Sequence, residues 1–256
     1  MPTVKLILEY DGTNYAGWQR QPNHLTIQEA LEAAIEGVTQ TKVSVIGAGR
    51  TDAGVHALGQ VVSFQIGRDF SAEQWTRALN AHLPEDIVVR TVRLVPDSFH
   101  ARYAAQGKLY EYRILNRPER PALERQHCWH LYGPLDDAAM NQAALSLIGS
   151  HDFSSFETQP TENDNPRCHL QRLAVYRQGD LLRIEAYADR FLKQMVRSIV
   201  GTLVDVGMKK RPASEMITLL NARNRSAVGK TAPPQGLFLV RVDYDPDSTG
   251  TSADIT

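Results

Sequence analysis

The sequence predicts an α+β protein built from two sheet-plus-helix halves with a central cleft. Three observations carry this. Segments of two-residue apolar period alternate with capped segments of helical period, the second half repeats that content without repeating its residues, and 42% hydrophobic content in 256 residues can bury cores of this size. The expected divisions are residues 1–105, an N-terminal α+β domain carrying a glycine-rich loop, and 106–244, a C-terminal α+β domain with a basic face. Residues 245–256 are expected to form a disordered tail, because they have too little apolar content to pack.

In the first half, Val4, Leu6 and Leu8 alternate with Lys5, Ile7 and Glu9 to give a strand from Thr3 to Tyr10, which the turn Asp11-Gly12-Thr13-Asn14 ends. Thr26 with Glu29 three residues on is a capping box, and Ile27, Leu31, Ala34 and Ile35 share one face of a helix running to about Gly37. Gln60 to Ile66 reads as a strand. Ser71 with Gln74 opens a helix carrying Trp75, Ala78 and Leu79, and Ile87 to Val95 is the next strand. These pieces make a strand-helix-strand-strand-helix-strand unit. Phe99 to Gln106 then connects it to a strand from Leu109 to Leu115.

In the second half, Asp136 caps a helix with Met140, Ala143, Ala144 and Leu147 inward, and Gly149 suits its C-terminal cap. His151 to Pro166 is polar and rich in turn residues, so a long loop is expected. Leu170 to Tyr176 and Leu181 to Ala188 form a hairpin around Gln178-Gly179-Asp180. Phe191 to Val206 is helical, with Met195, Ile199, Leu203 and Val206 on one stripe. A short helix follows from Pro212 to about Leu220, and Leu237 to Val242 is the last strand.

One stretch stands apart. From Gly47 to Gly59, four glycines in thirteen positions surround Arg50 and Asp52, between the apolar runs at Val43, Val45, Ile46 and at Val61, Val62, Phe64. Glycine serves where φ must be positive or where a backbone or ligand comes close. A loop presenting Arg50 and Asp52 in a cleft satisfies the pattern, and so does a hairpin connection with a solvated ion pair. A dinucleotide fingerprint is excluded, because Asp52 takes the place of its third glycine and would repel a phosphate. A phosphate loop is excluded by the missing Gly-Lys-Ser/Thr ending.

The net charge of −1 hides an uneven distribution. Between 190 and 230 lie Arg190, Lys193, Arg197, Lys209, Lys210, Arg211, Arg223, Arg225 and Lys230 against Asp205 and Glu215. A second basic stretch from Arg90 to Arg125 has Tyr103, Tyr110 and Tyr112 interleaved. Cations reach phosphates and aromatics stack on unpaired bases, so the pattern favours a polyanionic partner, although any single cation here fits a solvated surface residue better. No apolar run is long enough for a bilayer, and two cysteines suit a reducing compartment, so a cytoplasmic protein without a membrane partner is expected.

The segment Gly49-Arg50-Thr51-Asp52-Ala53-Gly54-Val55-His56-Ala57 resembles the motif of the tRNA pseudouridine synthase A family. Further segments resemble that family in the same order: Glu9 to Gly12 with Gly17 to Gln21, Phe99 to Arg102, Arg120 to Leu123, His151 to Phe156, Met195 to Gly201, Thr231 to Pro233 and Gly236 to Val240. The resemblance implies the pseudouridine synthase fold with RRM-like or ferredoxin-like halves, and an isomerase that converts uridine to pseudouridine at positions 38, 39 and 40 of the tRNA anticodon arm. It implies no cofactor, no metal, no DNA partner, and a homodimer. Asp52 becomes the catalytic carboxylate, acting as a nucleophile or as a base toward a sugar proton. Arg197, within the apolar run Met195 to Val200, becomes the cation that keeps Asp52 ionised, and Tyr110 becomes a catalytic and uracil-stacking residue. Without the family, Tyr110 reads as a core strand tyrosine sharing a face with Tyr112. Arg50 is implied to fill the gap left by a flipped nucleotide, and Leu237 to line the uracil pocket, where an ordinary core role fits nearly as well.

The chain departs from the family pattern at Asp189-Arg190 and Lys193-Gln194, where small residues followed by a His pair are common, which bears on RNA contacts near the helix start. Two other classes compete. An RRM-like RNA-binding module explains the tyrosines and cations but gives no reason for an acid facing phosphates. A metal enzyme using His127, Cys128, His130, Cys168 and His169 lacks paired Cys-x-x-Cys spacing.

Overall fold

The computed structural model describes residues 3–158 and 165–245. The elements run β1 (Thr3–Tyr10), α1 (Ile27–Thr39), β2 (Ile46–Gly47), β3 (His56–Gln65), α2 (Ala72–His82), β4 (Ile87–Val95), β5 (Ala105–Asn116), β6 (Trp129–Leu131) and α3 (Asp137–Leu145). They continue as β7 (Gly149–Asp152), β8 (Arg167–Gln178), β9 (Leu181–Ala188), α4 (Met195–Gly207), α5 (Met216–Asn221) and β10 (Leu237–Tyr244). The chain divides into two compact units, Met1–Gly107 with Leu239–Thr256, and Lys108–Phe238. Apart from Asp245, the tail expected from 245 onward lies outside the described residues.

In the first unit the order is β4-β1-β3-β10, with β2 on β3. β1 is central and antiparallel to both neighbours, Leu6 facing Val62 on β3 and Val92 on β4. Its two-residue period is borne out: Val4, Leu6, Leu8 and Tyr10 are buried, and Lys5, Ile7 and Glu9 are half-buried. Thr26 caps α1 by accepting from the Glu29 N–H at 3.3 Å. The helix runs past Gly37 to Thr39, where Gln40 stops it in the left-handed region at φ 57°. Its buried Glu32 is compensated by Arg20 at 2.8 Å and by the Val45 N–H at 3.0 Å. The Ser71/Gln74 capping box opens α2, whose Trp75 and Leu79 are fully buried.

The second unit holds the order β5-β9-β8-β7, with β6 parallel to β5. β8 and β9 are joined through Gly179-Asp180, with Gln178 facing Leu181. Asp136 caps α3 through the Ala139 N–H at 3.0 Å, and Met140, Ala143, Ala144 and Leu147 are fully buried, as their spacing predicts.

Further boundaries differ from the sequence expectation. β3 starts at His56 rather than Gln60, because Ala57 already pairs with Tyr10. Gly149 does not cap α3; that helix ends at Leu145, and Gly149 begins β7 at φ +117°. The expected loop from His151 contains the end of β7 and a 3-10 turn, Ser154–Phe156. β7 pairs through its backbone with β8, His151 facing Cys168 and Asp152 facing Arg167, so its polar side chains show no apolar alternation. Finally, α4 begins at Met195 rather than Phe191, since Gln194 at φ 58° cannot continue a right-handed helix.

Within the second unit α4 lies against the segment 229–232. A Cβ on Gly201 would sit 1.7 Å from the Lys230 carbonyl oxygen. Because the obstacle is backbone, Gly201→Ala is expected to lower unfolding free energy by about 1–3 kcal/mol through overpacking. Urea denaturation of the variant beside the native chain measures it.

Candidate active-site loop and buried arginine

β2 and β3 flank a loop of residues 48–55 that has no regular pairing of its own. It is held point by point. Ala48 N–H donates to the Val61 carbonyl at 2.8 Å, and the Gln60 side-chain amide donates to the Gly49 carbonyl at 2.8 Å. Thr51 is 6% exposed and is anchored twice: its hydroxyl shares a 2.8 Å hydrogen bond with the Tyr10 hydroxyl, and its carbonyl accepts from the Trp18 N–H at 3.0 Å. Gly17 makes that approach possible, since at φ +95° its missing Cβ would lie 2.6 Å from the Thr51 oxygen. With Thr51 pointing inward, its neighbours point out: Arg50 is exposed and Asp52 half-buried.

Tyr10 ends β1 with its ring buried, and burial pushes its phenol well above the usual tyrosine range, against the pull of hydrogen bonds from Thr51 and Gln60. The hydroxyl therefore stays protonated. Four residues beyond Asp52, His56 is 1% exposed, with Nδ1 lying 3.1 Å from both the Gly12 N–H and the Asp11 carboxylate. Asp11 also accepts from the Thr13 N–H at 2.9 Å. The turn after β1 is thus tied to the far end of the loop.

In the second unit, Arg197 sits in the first turn of α4 and is 9% exposed. Its Nε donates to the Ala232 carbonyl at 2.8 Å, while its own carbonyl accepts from the Ala232 N–H at 3.0 Å. The Gly229 N–H donates to Thr202 Oγ1 at 3.1 Å. Arg225 braces the same segment, donating to the Gly229 carbonyl at 3.0 Å and to Thr231 Oγ1 at 2.7 Å. Burial lowers its pKa, a shift with no carboxylate contact to oppose it in those bonds.

Tyr110 and Tyr112 share one face of β5 and both are buried. Tyr112 donates to the Pro233 carbonyl at 2.7 Å, and Tyr110 meets Phe191 edge-on at 5.1 Å between ring centroids. Leu237 opens β10 and is 6% exposed. The structure thus places Asp52 and Arg50 in the first unit and Arg197, Tyr110 and Leu237 in the second.

A model of the family described as tRNA pseudouridine synthase matches residues 6–104 and 143–245. The chain belongs to the tRNA pseudouridine synthase family. Proteins named tRNA pseudouridine synthase A are similar over nearly its full length. Those of Thermoanaerobacter sp. (strain X514) and Rhodopseudomonas palustris (strain BisB5) are 46% and 47% identical over 244 and 245 residues, each covering 95% of this chain and all of the relative. That of Acetivibrio thermocellus is 44% identical over 244 residues. The protein is accordingly an isomerase of the pseudouridine synthase type with the α+β fold of that family. Arg50, Asp52, Arg197 and Leu237 fall inside the family match, while Tyr110 lies in the interval between its two parts.

Three of the five side chains weighed for a metal enzyme have local hydrogen-bond partners. Cys128 Sγ lies 3.1 Å from the Glu124 carbonyl, His130 bonds the Arg117 carbonyl at 2.8 Å, and His169 bonds Ser150 at 2.8 Å. Among the described residues no three of the five bring ligand atoms together. Many cations of the basic stretches are paired, as in Arg90 with Glu9, Arg211 with Glu215 and Arg223 with Asp152. Asp189, one of the departures, accepts from the His169 N–H at 2.8 Å and the Arg190 N–H at 2.7 Å, which gives it a local structural task.

Sequence reasoning missed Tyr10, Trp18 and His56 as supports of the loop. The available signal was positional: Tyr10 and Trp18 stand in the segments Glu9 to Gly12 and Gly17 to Gln21 that resemble the family, and His56 stands inside the glycine-rich stretch itself. Tyr10→Phe leaves the buried Thr51 hydroxyl without its partner, so unfolding free energy should fall by about 1–3 kcal/mol, read by denaturant titration, and Thr51 and Asp52 amides should exchange faster.

Proposed function

We propose that the protein isomerises uridine to pseudouridine in the anticodon stem-loop of tRNA, at positions 38, 39 and 40. One observation carries the reading: the Arg50-Thr51-Asp52 loop, anchored through Thr51, occurs in a chain that matches a family described as tRNA pseudouridine synthase. The reaction breaks the bond from N1 to C1′, turns the base, and joins C5 to C1′. C5 loses its hydrogen as a proton and N1 gains one, so electrons balance without a redox partner or group donor. No cofactor is assigned.

Asp52 is the assigned carboxylate, either adding to the nucleoside as nucleophile or removing a sugar proton to give a glycal. Both routes need it ionised, and Arg197 is the cation assigned to it. The Ala232 carbonyl fixes the plane of that guanidinium. Tyr110 is assigned to stack on the displaced uracil, a contact worth about 1–3 kcal/mol, and its hydroxyl to the C5 proton step. Arg50, exposed beside the anchored Thr51, is assigned to occupy the space of the flipped nucleotide, and Leu237 to line the uracil pocket.

We assign a homodimer, because one subunit of this size has limited surface for gripping a tRNA, and a second copy could hold its body. Sedimentation as a monomer with and without tRNA would remove that assignment. A cytoplasmic location is supported by two cysteines that are buried and unbonded. Among the described residues no helix is long and apolar enough to cross a membrane.

The test is release of tritium from tRNA carrying 5-tritiated uridine, with tRNA binding measured in parallel. Asp52→Asn and Asp52→Ala should lose turnover by at least about a hundredfold while binding stays near native. Substantial remaining turnover would sink the role of Asp52 and favour the RNA-binding module. Arg197→Met should lower turnover by more than about tenfold, and a near-native rate would take Arg197 out of the site.

A further inference from the structure

The segment Phe99-His100-Ala101-Arg102-Tyr103 in the first unit has two faces of opposite character. Phe99 and Ala101 are buried and pinned: Ala101 donates its N–H to Ser63 Oγ at 3.1 Å and accepts from the Tyr244 hydroxyl at 2.7 Å, while the Phe99 and Tyr244 rings meet at 5.2 Å. The other face carries Tyr103, which is 78% exposed. Single exposed aromatics are ordinary. Tyr103 differs because it is already stacked and already braced.

Its ring lies on the His100 imidazole with centroids 4.3 Å apart and planes at 28°. His100 is itself locked, since its Nδ1 accepts N–H groups from both Arg102 and Tyr103 at 3.2 Å. With Nδ1 used as an acceptor, the neutral ring carries its proton on Nε2, on the side away from that turn. The Arg102 guanidinium stands 5.8 Å from the Tyr103 centroid. Because the imidazole covers one face of the phenol, an exposure this high leaves the opposite face open to solvent. The result is a flat π surface that needs little ordering to bind, with a cation at its side.

We infer that His100, Arg102 and Tyr103 form a stacking site for an unpaired nucleobase of the RNA, with Arg102 meeting the adjoining phosphate. An aromatic face takes any base, and a guanidinium beside it matches the charge of the backbone that carries the base. The site lies outside the residues assigned to the isomerised uridine, so it acts in holding the RNA. This inference rests on the reading of the chain as an enzyme acting on RNA.

The experiment uses the full chain, an unmodified tRNA transcript and fixed salt, and measures affinity and tritium release for Tyr103→Ala, Tyr103→Phe and Arg102→Gln. Tyr103→Ala should weaken binding between about fivefold and a hundredfold, with the change falling on KM rather than kcat, and Tyr103→Phe should restore most of it. Arg102→Gln should weaken binding and reduce the slope of log affinity against log salt by about 0.7. Native affinity in Tyr103→Ala overturns the stacking site, and so does a Tyr103→Phe chain as weak as Tyr103→Ala. A shift in the sedimentation of RNA-free Tyr103→Ala also overturns it, marking the surface as a protein contact. A native chain that binds tRNA but releases no tritium refutes the catalytic reading and leaves the stacking site standing; one that does not bind tRNA removes both.

Discussion

A carboxylate can act at a fixed place only if its backbone is fixed, and the loop that carries Asp52 has no helix or strand to do this. Thr51 supplies the constraint. Its hydroxyl and carbonyl are both engaged in the interior, by Tyr10 and by the Trp18 N–H. Fastening one residue at both polar ends sets the direction of the residues on either side. The rest of the first unit is arranged around this: β1 ends at the residue that supplies the phenol, and Gly17 lets the next segment reach the Thr51 carbonyl.

The second unit applies a related solution to a cation. Arg197 exchanges hydrogen bonds with Ala232 through both its side chain and its main chain. The partner groups are neutral, so the guanidinium is oriented without a carboxylate cancelling its charge in that contact. Arg225 and Tyr112 hold the same segment from its two ends. In both units a candidate site residue, or its neighbour, is held by polar contacts with a segment distant in sequence, a main-chain group among them in each case, which no pattern of side-chain hydrophobicity records.

That explains which parts were legible in the sequence. β1, β4, the β8-β9 hairpin and the caps at Thr26, Ser71 and Asp136 follow from period and local hydrogen bonding, and each is where its residues place it. β7 was hidden because Ser150, His151 and Asp152 pair by backbone alone, and the three-residue β6 offers too short a run for any period. The start of α4 was hidden because apolar Phe191 and Leu192 extend the helical pattern past a left-handed Gln194. The motif around Asp52 was legible as a family likeness, whereas the grip on Thr51 depends on residues 33 and 41 positions away and needed the fold.

Cys128 and Cys168 are the chain's two thiols, 3% and 2% exposed. Burial pushes both up, Cys168 to about 12, so at neutral pH each is protonated and shielded, and neither offers a ready thiolate. The folded protein therefore presents a chemically quiet background to maleimides and iodoacetamides. A cysteine placed on its surface would react ahead of the native pair, which makes the chain suitable for fluorophores or spin labels that follow its encounter with a ligand.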